Sequence, residues 1–206
     1  MKIFGFPTFN LTKVLLTAEE VGQAYELVLL DPLKQELKTP ENLQRHPLGK
    51  MPSLEDDGQF LCESGAICRY LALKNDVSLY AGDIMARAKI DQWMDMLSHH
   101  IGRWMQVFYW QEIVRPRFFK QESDAAALEE AQRFLKDVLP VLDNQLSDHA
   151  FITGDSLSIA DTFGFPYFSF LSEVSVSVAA YPNITRWVEE MAARPAYHRV
   201  LARYPQ

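Results

Sequence analysis

Apolar residues recur with two different periods along this chain, and the period changes near residue 80. Before it, Met1 to Phe6 is a short apolar run ended by Pro7, the pattern expected of a strand. Leu11, Val14, Leu15, Ala18 and Val21 then keep helical spacing until Gly22 stops it. Tyr25 to Leu30 is a second strand-like run, closed by Asp31-Pro32. Strand, helix, strand reads as a βαβ unit with a parallel pair. Met51 to Leu61 reads as two short strands around the turn Asp56-Asp57-Gly58, and Ser64 opens a helix with Ile67, Leu71 and Leu73 on its apolar side.

The order βαβ then ββα predicts a thioredoxin-like α/β domain over residues 1–76, with its sheet between helices. A linker at 77–84 and an all-helical domain over 85–206 follow. Asp83 is placed to cap a long helix through Trp93, Leu97 and Trp104 to about Val114, ended by Arg115-Pro116. Ser123 or Asp124 caps the next, which runs to about Leu146 with a kink at Pro140. A third helix starts near Ser158, and a fourth after Pro182-Asn183. Serine and valine alternate from Ser172 to Ala180 like a strand, but the helical surroundings favour helix there.

The composition suits this plan and narrows the chemistry. Of 206 residues, 48% are hydrophobic and 23% charged, enough to build a core. Twenty basic against 27 acidic residues leave a net charge of −7, which disfavours nucleic acid and anionic membranes as partners. An anionic ligand must therefore be held by local groups. The apolar start is too short for a leader segment, and no run reaches the ~18 residues of a membrane span. Cys62 and Cys68 form no metal-type pair, and two cysteines without a scaffold pattern point to a reducing, cytoplasmic compartment. Both read as buried structural thiols. His99-His100 is no metal pair either, since adjacent helical residues point apart.

Two segments carry candidate chemistry. Pro52 enters a strand, where it cannot donate to the ladder and is a candidate cis peptide. The Met51 main chain would then face outward and could pair with an extended peptide. Ser64 reads as an N-cap whose hydroxyl, with the first free N–H groups of its helix, makes an anion site. Glu63 beside it suits an ammonium group. A plain hairpin and a capped helix would use the same residues. The other segment is Thr8 and Asn10, between the first strand and first helix. They can cap that helix, or they can stabilise a bound thiolate at its positive end.

Together, Lys50-Met51-Pro52 and Glu63-Ser64-Gly65-Ala66-Ile67 resemble the glutathione transferase family. Thr8-Phe9-Asn10-Leu11-Thr12-Lys13-Val14 resembles the Ser-x-Asn-x-x-Lys-Val stretch of its phi-like and related bacterial members, with threonine for serine. A Thr-x-Asn pair also resembles the nu-like bacterial members. The resemblance spans the chain and implies that Met51 binds the cysteinyl part of glutathione and that Ser64 with Glu63 binds the γ-glutamyl end. Lys38 and Lys50 stand where the family places groups for the glycine carboxylate, although a solvated lysine explains Lys38 equally. Thr8 and Asn10 stand at the thiol-activating positions.

Trp104, Phe108, Tyr109, Trp110, Phe118 and Phe119 cluster near one helix end. Core packing or a subunit interface explains them, or Trp104, Phe108 and Phe119 join Phe9 in an apolar wall for an electrophilic second substrate. Gly154 to Asp161 matches the family's folding element, with Ser158 and Asp161 as a capping box. The resemblance thus implies a cytoplasmic homodimer that conjugates glutathione, as co-substrate, to small apolar electrophiles in detoxification, without metal or organic cofactor. Glutathione-dependent disulfide or peroxide reduction in the same site, and a non-catalytic binding module, are the alternatives.

Overall fold

The computed structural model describes residues 1–75, 77–80 and 82–205. The expected domain end at residue 76, and residue 81 within the expected linker, lie outside these. The chain divides by its contacts into two units, Met1–Asp83 with Ala193–Gln206, and Ile84–Ala192.

The first unit holds a sheet in the order β2-β1-β3-β4, from β1 (Lys2–Gly5), β2 (Glu26–Leu29), β3 (Ser53–Asp56) and β4 (Gln59–Cys62). β1 and β2 are parallel, joined by helix α1 (Phe9–Glu20), as the βαβ spacing predicts. β3 runs antiparallel to β1, with Ile3 opposite Leu54 and Phe4 opposite Ser53, and β4 antiparallel to β3. Both faces are covered, which is why β1 reads as a continuous apolar run rather than an alternating one. α2 (Pro40–Arg45) lies on the Phe4 face, where the Arg45 guanidinium sits 4.1 Å from the ring centroid. Ile3 and Leu54 point the other way and are equally buried, and α1 and α3 (Ser64–Asn75) pack on each other through Thr17 and Cys68.

α2 and the two short 3₁₀ turns before it, Pro32–Lys34 and Glu36–Lys38, go beyond the βαβ-ββα reading. Their signal was local: Thr39 accepts from the Asn42 N–H and Pro40 occupies the first helical position. α2 is six residues long, too short for an apolar period to show.

In the second unit, one long helical stretch alternates in winding. α4 (Ile84–Met96) passes into π-helix at Leu97–Gly102, α5 (Arg103–Phe108), and π-helix again at Tyr109–Phe119. The expected stop at Arg115-Pro116 fails because the wider π turns accommodate the proline ring, and the helix ends instead at Lys120 with φ of 55°. Gly102 lies in this stretch because a Cβ there would stand 2.2 Å from the Tyr167 ring.

Asp124 caps α6 (Ala125–Gln145) by accepting from Ala126 and Ala127, and α6 runs through Pro140. α7 (Ile159–Gly164) and α8 (Pro182–Ala192) complete the unit. Between them, residues 174–178 are neither helix nor paired strand. They form an extended strap with Val176 and Val178 buried and the serines outside, so the alternation was a truer guide than its helical surroundings.

Residues 193–206, expected at the end of the helical domain, group with the first unit. α9 (Pro195–Ala202) packs on α1, and Arg194 pairs with Glu20 while Arg199 and Arg203 pair with Glu19. A periodicity reading sees α9 as one more helix; only the charge pairing assigns it to α1. Among the described residues, no helix is long and apolar enough to cross a membrane.

Candidate functional site

The first helix begins where the sequence suggests. Thr8 is the N-cap of α1, with φ of −154° and ψ of 164°, and its Oγ1 accepts from the Leu11 N–H at 3.4 Å. The same hydroxyl points across to Met51, 3.9 Å from its Sδ. The two segments singled out in the sequence therefore meet, 43 residues apart in the chain. The Met51–Pro52 bond is cis. The β1–β3 pairing ends at Phe4 opposite Ser53, so the Met51 main chain lies just beyond the ladder.

Asn10 is in the first turn of α1 rather than at its cap. Its Oδ1 accepts from Lys13 Nζ at 2.8 Å. Lysine can only donate, so this bond fixes the carboxamide with its NH₂ end directed away from Lys13. Lys13 is 1% exposed, and burial holds its ammonium well below the usual lysine value, with Cys68 opposing. The helix N-terminus brings positive potential to this corner, where an anion is stabilised.

α3 opens one position earlier than expected. Ile67 N–H bonds the Glu63 carbonyl at 3.0 Å, so Glu63 is the residue before the first turn and Ser64 is the first helical residue. The N–H groups of Ser64, Gly65 and Ala66 precede the helical ladder. Glu63 has φ of 70°, a left-handed conformation that costs a non-glycine residue roughly 1–2 kcal/mol. Its side chain is exposed and Ser64 is half-buried.

Lys38 and Lys50 are exposed. Lys38 Nζ donates to the Leu48 carbonyl at 3.0 Å and lies over Gly49, whose φ of 58° suits only glycine there: a Cβ would stand 2.7 Å from the Leu37 carbonyl oxygen. Close by in sequence, His46 is a residue the motifs do not single out. His46 is 3% exposed and its Nδ1 has no hydrogen-bond partner among the described residues. Burial pushes its ring below the ordinary imidazole value, Glu63 opposes this, and Lys50 and Lys38 add to the push. The charges of Glu63, Lys50 and Lys38 are thus all felt at one buried imidazole. Its only sequence signal was His46-Pro47 just ahead of the Gly49 turn.

The cysteines divide. Cys68 is buried, with its thiol pushed up to about 11 by burial despite the Thr17 hydrogen bond. Cys62 is half-buried rather than buried, because it ends edge strand β4; burial and the Glu63 charge still raise its thiol.

The aromatics named from the sequence do not form one wall within the second unit. Trp104 stacks on Phe134 with centroids 4.3 Å apart, flanked by Arg103 and Arg133. Tyr109 packs edge-on against Phe170 at 5.1 Å, and Trp110 against Phe119 at 5.6 Å. Phe108 is 2% exposed, whereas Phe119 is 54% exposed. The π-helical winding after Phe108 changes the angular step between residues, so neighbours in sequence disperse around the axis. In the first unit, Phe9 is 8% exposed beneath Lys13.

The family model "Glutathione S-transferase, N-terminal domain" matches residues 1–73, and "Glutathione S-transferase, C-terminal domain" matches residues 97–195. The chain is 34% identical over 213 residues to "Probable glutathione S-transferase GSTF2" of Oryza sativa subsp. japonica, covering 97% of this chain and 95% of that one. Among solved structures, a glutathione S-transferase-I bound with lactoylglutathione superposes with a TM-score of 0.91 at 30% identity, covering 98% of each chain. Glutathione S-transferase I from mais, in complex with an atrazine glutathione conjugate, does so with a TM-score of 0.91 at 30% identity, covering 98% of this chain and 96% of that one.

Proposed function

This chain belongs to the glutathione S-transferase family, and from that premise we propose how its residues conjugate glutathione to apolar electrophiles. The Met51 main chain holds the cysteinyl part of the tripeptide. Ser64 and the first N–H groups of α3 take the γ-glutamyl carboxylate, and Glu63 takes the ammonium. Lys38 and Lys50 take the glycine carboxylate.

The thiol then reaches the N-terminus of α1. The Thr8 hydroxyl and the Asn10 NH₂ donate to sulfur and favour thiolate over thiol. The proton leaves to solvent, the sulfur lone pair forms the C–S bond, and the electron pair of the attacked carbon departs with the leaving group. A thiol of pKa ~8.5 lowered by about two units is mostly ionised at neutral pH, a stabilisation of ~2.7 kcal/mol. Such an attack needs no metal or organic cofactor. The observation that carries this reading is the Thr8 hydroxyl standing 3.9 Å from Met51 Sδ while capping α1. Thr8→Ala is expected to raise the pKa of bound glutathione by about one unit. An unchanged value would transfer activation to Asn10 and the helix terminus. Parallel assays with an aryl halide and a model disulfide complete the test: activity on the disulfide alone would sink conjugation.

The Thr8-x-Asn10-x-x-Lys13-Val14 spacing supports a phi-like placement within the family. Phe60 and Leu73 of the first unit and Ile84 and Met85 of the second are exposed apolar groups that suit a second copy of the chain. Two free thiols suit a reducing cytoplasm. Of the aromatic residues named from the sequence for an acceptor, Phe119, being exposed, is the one to substitute first.

A further inference from the structure

Residues 193–205 hold α1 at both ends, and one of these holds reaches the activating threonine. At the C-terminal end, Glu20 is gripped by Arg194, and Glu19 by Arg199 at 2.7 Å and Arg203 at 3.1 Å. The Arg203 guanidinium also covers the Tyr25 ring at 4.6 Å. Two turns back along α1, Tyr204 Oη lies 2.7 Å from Thr12 Oγ1. Thr12 Oγ1 in turn donates to the Thr8 carbonyl at 2.9 Å, beside the Thr12 N–H, which bonds the same carbonyl at 2.9 Å.

The direction of this chain is settled by proton count. A hydroxyl has one hydrogen. Thr12 spends its hydrogen on the Thr8 carbonyl, so Tyr204 is the donor to Thr12. The order is Tyr204 O–H to Thr12 O–H to Thr8 C=O, an aligned series in which each bond polarises the next. Thr12 is 5% exposed, so water does not replace a lost member at no cost. Two donors on one carbonyl fix the plane of the peptide after Thr8, and with it the ψ angle at the residue whose side chain carries the activating hydroxyl.

We propose that Tyr204 and Thr12 are positioning residues for thiol activation: they orient Thr8, and through them residues 193–205 set the geometry of the activating hydroxyl. This rests on the reading that Thr8 activates the thiol. Tyr204→Phe keeps the ring and removes the donor. It is expected to lower kcat about 2- to 10-fold and to raise the bound thiol pKa, followed by ultraviolet thiolate absorbance, with KM for glutathione unchanged. Thr12→Val is expected to do the same or more, while Thr12→Ser, which keeps the hydroxyl, restores the wild-type values. In a Thr8→Ala background, Tyr204→Phe is expected to leave the thiol pKa where Thr8→Ala alone put it.

If Tyr204→Phe and Thr12→Val leave the thiol pKa and kcat unchanged while Thr8→Ala raises the pKa, the positioning role is overturned and the Thr8 reading stands. If Tyr204→Phe acts equally with and without Thr8, it works by another route and the proposal fails. If Thr8→Ala itself changes nothing, the reading beneath it falls first. Should Thr12→Val fold poorly, the conservative Tyr204→Phe decides alone.

Discussion

Two helices in this chain open on a serine and a carboxylate, and they use the pair in opposite ways. At α7, Ser158 and Asp161 form a capping box that is 3% and 0% exposed. Asp161 accepts from the Ser158 N–H and hydroxyl and from the Ile152 N–H, and it reaches across to the Trp187 indole at 3.0 Å. Its hydrogen-bonding capacity is used up inside the fold. At α3, Glu63 is exposed, held at a left-handed φ, and Ser64 is half-buried beside N–H groups that precede the ladder. A serine and a carboxylate therefore make a folding element at α7, where their partners are internal, whereas at α3 the proposed ligand would supply the partners. Strain points the same way: it sits at α3, where it is kept, and not at α7.

The largest effect that tests this contrast is at Asp161. Asp161→Ala leaves four buried donors without this acceptor and is expected to cost about 3–5 kcal/mol of stability, read from the denaturant midpoint, with glutathione affinity of the remaining folded protein unchanged. Ser64→Ala is expected to invert that result. Stability should move by no more than ~0.5 kcal/mol, while glutathione binding by calorimetry weakens by about 1.5–3 kcal/mol, roughly 10- to 100-fold. A fold that suffers with binding intact would erase the distinction.

Smaller and sharper is Glu63→Gly. It relieves the left-handed φ and is expected to raise stability by up to about 1 kcal/mol while weakening glutathione binding. A loss of stability would mean that Glu63 is there for the fold.

Acid separates two other carboxylates. Burial opposes ionisation of Glu19, but hydrogen bonds from Arg199, Tyr25 and Arg203 outweigh it and hold its pKa below the ordinary value. Its contribution is therefore present above the unfolded pKa of ~4.3 and is lost as pH falls through the lower folded value. Burial raises Asp161 instead, despite its hydrogen bonds, so its contribution has the opposite sign: present at low pH and lost as pH rises through the folded pKa. Hydrogen exchange below pH ~4 is expected to open residues 193–205 before α7. Simultaneous opening would contradict this.

Much of the fold was legible because it depends on local periods. The 3.6-residue spacing from Leu11 to Val21, the short apolar runs either side, and the Ser158–Asp161 spacing are each decided within one helical turn or one strand. Elements failed to show where they were too short to repeat a period, as at six-residue α2, or where a local rule met an uncommon geometry, as at Pro116 in a π-helix. The strap at 174–178 shows the converse: the alternation was there, and context was allowed to overrule it.

The sequence by itself determined the order of the four strands and of the longer helices, the caps at Thr8, Asp124 and Ser158, and the residue types at Met51, Glu63 and Ser64, since those follow from spacing and turn chemistry. Only the tertiary structure decided that Thr8 meets Met51, that His46 is buried, and that Tyr204 reaches Thr12. The reason is physical. A hydrogen bond or charge contact acts over a few ångströms, and the residues making these are 43 and 192 positions apart in the Thr8–Met51 and Thr12–Tyr204 pairs, so only the folded chain brings them within range.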